Sequence, residues 1–210
     1  MSDCEGDLES LASADLSLSP NTNRMITLAR KRLGILTRLV GRFNHTCFPT
    51  IFKSLVRPIL EVNIRAFSPY LHRDMLAIES VQRRATKRVI GLRFTPYPER
   101  LRILNLFPTD YRRFRGDLIL MHKIMHQPGH PLRSLFEPCR SATTRGHPYK
   151  VQTKHSHTNK RKYSFCVRVC NPWNSLPFEL VTLDRADAFK KGMDKLYREE
   201  HLGFRSLVFD

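Results

Sequence analysis

Between Leu71 and Val89, apolar residues recur at the spacing of a single helical face, and nothing else in this chain restricts its fold as much. At 100° per residue, Leu71, Met75, Ile78, Val81, Ala85 and Val89 fall within one sector about 120° wide. Arg83, Arg84, Lys87 and Arg88 fill a separate sector, nearly opposite. The spacing predicts a helix over about Arg73 to Ile90 with a buried stripe and a basic stripe. The stretch "ESVQRRATKRVIGL" (Glu79 to Leu92) is then either a surface that grips a nucleic-acid backbone or a helix with an ordinary solvated face. The residues alone leave both readings open.

Similar patterns flank it. Asn21 to Phe43 reads as a helix, with Asn21 to Asn23 as capping candidates and Met25, Leu28, Leu33, Leu36 and Val40 at roughly helical spacing. Phe48 to about Phe67 reads as a second helix, which Pro58 should kink or split. Beyond "TPYPERL", a short helix is expected around Glu99 to Leu104. A longer one follows over "TDYRRFRGDLILMHKIMH", with Thr109 or Asp110 as N-cap and Tyr111, Phe114, Leu118, Met121 and Met125 on its buried face. Arg112, Arg113 and Arg115 sit in its first turns, where cations oppose the macrodipole. An anion is therefore expected beside them: Asp110, Asp117 or a ligand phosphate.

After "QPGHP" (Gln127 to Pro131) the texture changes. Residues 137–177 suggest loops and one hairpin, with β-prone runs at Tyr149 to Thr153 and Tyr163 to Val169. A terminal helix is expected from Asp184, as N-cap, through Phe189, Met193, Leu196 and Tyr197. The expected fold class is mainly α: a helical bundle, then a loop-rich segment with short strands, then the terminal helix. Residues 1–20 read as an acidic, disordered tail, 21–127 as a basic helical domain and 128–210 as a carboxy-terminal segment.

Charge narrows the choice of partner. Lys and Arg number 36 against 19 Asp and Glu, a formal +17 over 210 residues. Residues 21–115 alone hold twenty bases and five acids, whereas the first twenty residues hold five acids and no base. Such an excess favours a polyanion, because cations that neutralise phosphates release condensed counterions. An anionic membrane surface is the other candidate. The amino terminus is acidic and lacks an apolar run, so no secretory signal is expected, and no segment offers the roughly 20 apolar residues of a membrane span. Five scattered cysteines read as reduced thiols of an intracellular protein, nuclear or cytoplasmic.

Signals for chemistry are weak. Cys166 and Cys170, with His155 and His157 nearby, lack the knuckle spacing and second pair of a structural zinc site. No nucleophile elbow or glycine-rich phosphate loop occurs, and no adjacent Asp-Asp pair offers the clustered carboxylates of two-metal phosphoryl transfer. No cofactor, metal or small-molecule substrate is expected. Trp173, in "VCNPWNSLP", reads as a core anchor, with base stacking as the rival. "TRGH" (Thr144 to His147) reads as a glycine turn, with phosphate contact as the rival.

Several of these pieces together resemble the carboxy-terminal part of the polyprotein of non-LTR (LINE-type) retrotransposons, in the Jockey and chicken-repeat lineages. The matching segments are "FKSLVRPILE", "SPY", "IESVQRRATKRVIGL", "LNLFPTDYRRFRGDLI", "TRGHPYK" and "FCVRVCNPWNSLPFELV…FKKGMDK". They run in the family's order and cover about residues 22–197. The resemblance implies a reverse-transcriptase thumb and the segment after it, without the palm that carries the family's catalytic aspartates. "LEVNIRAFSPY", with Val62, Ile64, Arg65 and Phe67, departs from the aromatic-rich form common at that point. No activity is implied for this chain alone. The implied task is to hold an RNA–DNA hybrid or duplex by its backbone, through Arg83, Arg84, Lys87 and Arg88 and through Arg112, Arg113 and Arg115, with a separate palm domain as a further partner. The rival reading is a structural or interaction remnant of a decayed element. A transcription-factor-like helical binder is weaker, because no reading-helix motif stands out.

Overall fold

Helices dominate the computed structural model, which describes residues 4–7, 10–13, 18–62, 68–139 and 147–199. Two compact units, Met1–Arg113 and Phe114–Asp210, divide within a helix, earlier than the change of texture after Gln127. The reason lies in where that helix buries its apolar residues. Leu118, Met121 and Ile124 belong to the core of the second unit.

In the first unit, β1 (Cys4–Asp7) and β2 (Ser10–Ser13) pair antiparallel, where the tail was expected to be disordered. Helix α1 (Ser19–Val40) begins two residues before the expected caps. Pro20 in its first turn needs no N–H partner and already has a helical φ. Asn21 and Thr22 are buried instead, and Thr22 Oγ1 donates to Leu18 O at 2.9 Å. Of the expected apolar face, Met25 and Leu33 are buried, while Ile26 and Ala29 replace the exposed Leu28 and Val40. Gly41, at φ +70°, ends the helix by donating to Thr37 O at 2.9 Å.

The second expected helix is broken at its proline. Helix α2 (Cys47–Ile51) passes through one π-helical turn (Phe52–Val56) into α3 (Arg57–Glu61). Pro58 has no N–H to return to Ser54 O, so the hydrogen-bond ladder slips by one residue on its amino-terminal side. The continuation through residues 63–67 lies outside the described residues. Helix α4 (His72–Thr86) then runs beside α1 in the same sense. Ser19 Oγ donates to Asp74 Oδ2 at 2.6 Å, Arg30 Nη2 to Ser80 Oγ at 3.2 Å, and Phe43 forms a parallel bridge with Val89. Between them lies the first core, with Ile26, Ala29, Phe48, Phe52, Val56, Ile78, Val81 and Ala85 fully or nearly buried. Helix α5 (Tyr97–Ile103) and the first turn of α6 (Thr109–His126) close this unit.

Neither β-prone run of the carboxy-terminal segment forms a strand. Val151 makes one isolated bridge with Pro138, and Tyr163 to Val169 is mostly α8 (Phe165–Arg168). Burial overrides the β preference of this run. Val167, Val169 and Cys170 turn inward, and Arg168 anchors the helix by clamping Asp117 at 2.8 and 3.1 Å. A 3₁₀ turn (Pro131–Leu135) and the short helices α7 (Asn159–Lys162), α9 (Cys170–Asn174) and α10 (Phe178–Val181) surround a core centred on Trp173. The terminal helix, α11 (Ala186–Glu199), starts just after Asp184 and buries Phe189 and Met193 as expected. Most of "TRGH", Thr144 to Gly146, lies outside the described residues.

Two buried histidines make this unit sensitive to acid. His122 and His147 bond the carbonyls of Leu183 and Trp173 at 2.5 and 2.9 Å. Burial holds both imidazoles below their ordinary pKa of 6.5, outweighing those carbonyl bonds. The unfolded chain therefore binds more protons than the folded one once pH falls below about 6.5, so stability falls with pH there. The slope is bounded at about 1.4 kcal/mol per pH unit for each histidine. Urea melts followed by the emission of Trp173, the only tryptophan, should lose midpoint from pH 7.5 to 5.5. An unchanged midpoint would mean that neither imidazole is buried neutral.

Candidate nucleic-acid interface

The cations of α4 stand on the outer face that their spacing indicates. Arg83, Arg84, Lys87 and Arg88 are all exposed, while Ile78, Val81, Ala85 and Val89 are buried. Arg83 and Arg84 occupy the last turn, and Lys87 and Arg88 follow the helix end. Cations here complement the negative end of the helix dipole, but one or two would suffice for that.

A fifth cation arrives from α1. The Phe43–Val89 bridge buries both of its residues. Arg42 and Arg88, the residues just before the two bridge partners, are both exposed. Phe43 N donates to Arg88 O at 3.3 Å and Ile90 N to Phe43 O at 2.9 Å, which fixes the register. Sequence reasoning missed Arg42, because a single bridge between residues 46 apart leaves no local pattern.

The inner face of the same stretch is partly polar, and it orients Arg83. Glu79, buried, accepts from the Tyr97 hydroxyl, from Thr109 N at 2.8 Å and from Thr109 Oγ1. Its carboxylate thus caps the amino terminus of α6, a task the sequence assigns to Thr109 or Asp110. Gln82 Nε2 donates to Tyr97 Oη at 3.1 Å and to Phe107 O at 2.9 Å. Burial, with the Glu79 charge behind it, pushes the Tyr97 phenol well above its ordinary range, so it stays a donor. Arg83 and Arg100 both lie over the Tyr97 ring, at 4.7 and 5.2 Å from its centroid. Arg100, buried, donates to Arg83 O at 3.0 Å. Burial draws its guanidinium below the usual pKa, and the Arg83 charge acts the same way against the opposing Tyr97. Arg83 is therefore pre-oriented by an aromatic face and a clamped backbone.

The acids of the basic block are engaged elsewhere. Glu61 takes Arg112, Asp74 takes Ser19 and Arg73, Glu79 takes Tyr97 and Thr109, Glu99 takes Arg102, and Asp110 accepts from Tyr111 N. Among the described residues, no carboxylate pairs with Arg42, Arg83, Arg84, Lys87 or Arg88. Five cations on one face without a counter-charge repel one another, and a polyanion relieves that repulsion.

The arginines of α6, unlike the cations of α4, are paired with carboxylates or buried. Arg112 grips Glu61 through two bonds of 2.6 and 2.8 Å, and Arg115 grips Asp194, with Nη2 to Oδ2 at 2.8 Å. Arg113 is buried, beside Phe52, Arg57 and Leu60. Burial, reinforced by Arg112, lowers the Arg57 pKa to about 10. The anion expected near these cations is present, but Glu61 and Asp194 supply it from 51 and 79 residues away. A half-buried guanidinium needs a carboxylate more than a ligand that comes and goes.

The remaining sequence candidates resolve without a site. Trp173 is fully buried, and its Nε1 donates to Tyr149 O at 2.8 Å, so it is an anchor and not a stacking platform. Cys166 and Cys170 lie one helical turn apart, with the Cys170 thiol donating to Cys166 O at 3.0 Å and raised by burial to about 11. Among the described residues, no three His, Cys, Asp or Glu side chains cluster, and no helix is long and apolar enough to cross a membrane. No protein-family model, curated protein or solved structure matches the chain.

Proposed function

We propose that this chain corresponds to the thumb and post-thumb part of a LINE-type reverse transcriptase, and that these residues bind nucleic-acid backbone without themselves doing chemistry. The observation that carries the reading is the unpaired cation face of Arg42, Arg83, Arg84, Lys87 and Arg88, together with the ordered set of family-like segments. A thumb must hold any template and primer, so it needs phosphate contacts and no base readout. An exposed helix end that carries several cations suits that task. An RNA–DNA hybrid suits it best, since its grooves admit few side chains.

Fluorescence anisotropy on hybrids of differing sequence, titrated against salt, tests the reading. Affinity should be nearly independent of sequence and fall steeply with salt, with a log–log slope of about −4 for four to five contacts. Sequence-selective binding, or none, would count against it. The same preparation should not extend oligo(dT) on poly(A) with Mg²⁺ or Mn²⁺, because two-metal transfer needs clustered free carboxylates. Extension above a mock purification would overturn that half of the proposal.

A further inference from the structure

A large aromatic ring stands in water six residues along the chain from Arg88, the last cation of that face. Phe94 is 91% exposed, more than any other large apolar side chain among the described residues. It is not on a slack loop. Leu92, buried, donates to Val89 O at 3.1 Å, and Thr95 N donates to Leu92 O at 3.3 Å. These bonds close two successive turns, the first with Ile90 and Gly91 at its centre and the second with Arg93 and Phe94. Gly91, at φ +77°, sets the entry to this turn, and Pro96 starts α5 on its far side. The Arg93 guanidinium lies 5.5 Å from the Phe94 centroid. Folding gains almost nothing from a ring held out in this way, since it stays in contact with water.

We infer that the Arg93–Phe94 corner is a nucleobase-stacking site, taking an unpaired or terminal base of a strand whose phosphates lie on the α4 cations. This rests on the backbone-binding reading above and extends it from phosphates to a base. Every base offers a π-face, so an aromatic platform beside a cationic track adds affinity without sequence preference. Arg93 adds a planar cation beside the ring. A membrane wedge fits less well, because one ring with a half-exposed Ile90 offers little apolar area for insertion.

The test uses the full chain and a short RNA–DNA hybrid carrying a four-nucleotide single-stranded overhang, compared with the same hybrid whose overhang is abasic. Phe94→Ala should weaken binding to the base-bearing overhang roughly 5- to 100-fold. It should leave the abasic hybrid and the salt slope nearly unchanged, and Phe94→Tyr should restore the loss. Because Phe94 is exposed, circular dichroism should not distinguish the variants. Equal losses on both hybrids, or none while the native chain still binds with steep salt dependence, overturn the stacking site and leave the backbone reading standing. A loss seen only on phosphatidylserine vesicles overturns it in favour of a membrane contact. Failure of the native chain to bind either hybrid overturns both.

Discussion

Trp173→Ala is expected to destabilise the carboxy-terminal unit by about 3–5 kcal/mol, the range for truncating a fully buried aromatic. Trp173 is 0% exposed and lies edge-on to His122 and His147 and tilted against Phe189, at 6.5, 5.7 and 6.2 Å between ring centroids. Its Nε1–H supplies the bond to Tyr149 O, and its carbonyl receives His147 Nε2. Truncation leaves a cavity among residues of α6, α9 and α11 and strips a buried carbonyl of its donor, a further cost of about 1–3 kcal/mol if water cannot reach it. Losses of this size rival the whole stability of a small domain, so the unit should unfold under mild conditions. Urea melts by circular dichroism check this. A loss below about 1 kcal/mol would mean that the ring is not a core anchor.

How much of this was legible in the sequence depends on how local each cause is. The faces of α4 are set by residues three and four apart, so both its buried stripe and its exposed cations can be read directly. The polar half of the inner face cannot. Glu79 and Gln82 look like surface residues, and their partners Tyr97, Phe107 and Thr109 lie 15 to 30 residues away. Arg112 and Arg115 mislead for the same reason, since their carboxylates come from distant segments. Tyr163 to Val169 misleads differently. Its β-branched and aromatic residues fit a strand, but a run that packs Val169 and Cys170 beside Trp173 takes its conformation from the core. Arg42 is tied to the end of α4 by one backbone bridge, Phe43 to Val89, which has no sequence signature at all.

Changing Arg83, Arg84, Lys87 and Arg88 together to Gln tests the central claim most directly. All four are exposed, and Gln matches Arg and Lys in helix propensity, so α4 should persist. Some cost at the helix end will follow from lost dipole complementarity, about 0.3–1 kcal/mol per cation at most. The α1 cations Arg24, Arg30, Lys31 and Arg32 make a poor control, because Arg30 bonds Ser80 on α4 itself. Changing Lys160, Arg161, Lys162 and Lys191, exposed in the other unit, to Gln removes the same charge while leaving every residue of the first unit intact. If the α4 cations bind phosphates, their loss should take about 3.6 from the magnitude of the log–log salt slope, about 0.9 for each contact. Affinity for every hybrid tested should fall by on the order of 10²–10³ at physiological salt, while the control variant keeps most of both. Equal losses in the two variants would instead mean diffuse attraction to a basic chain, with no defined footprint on α4.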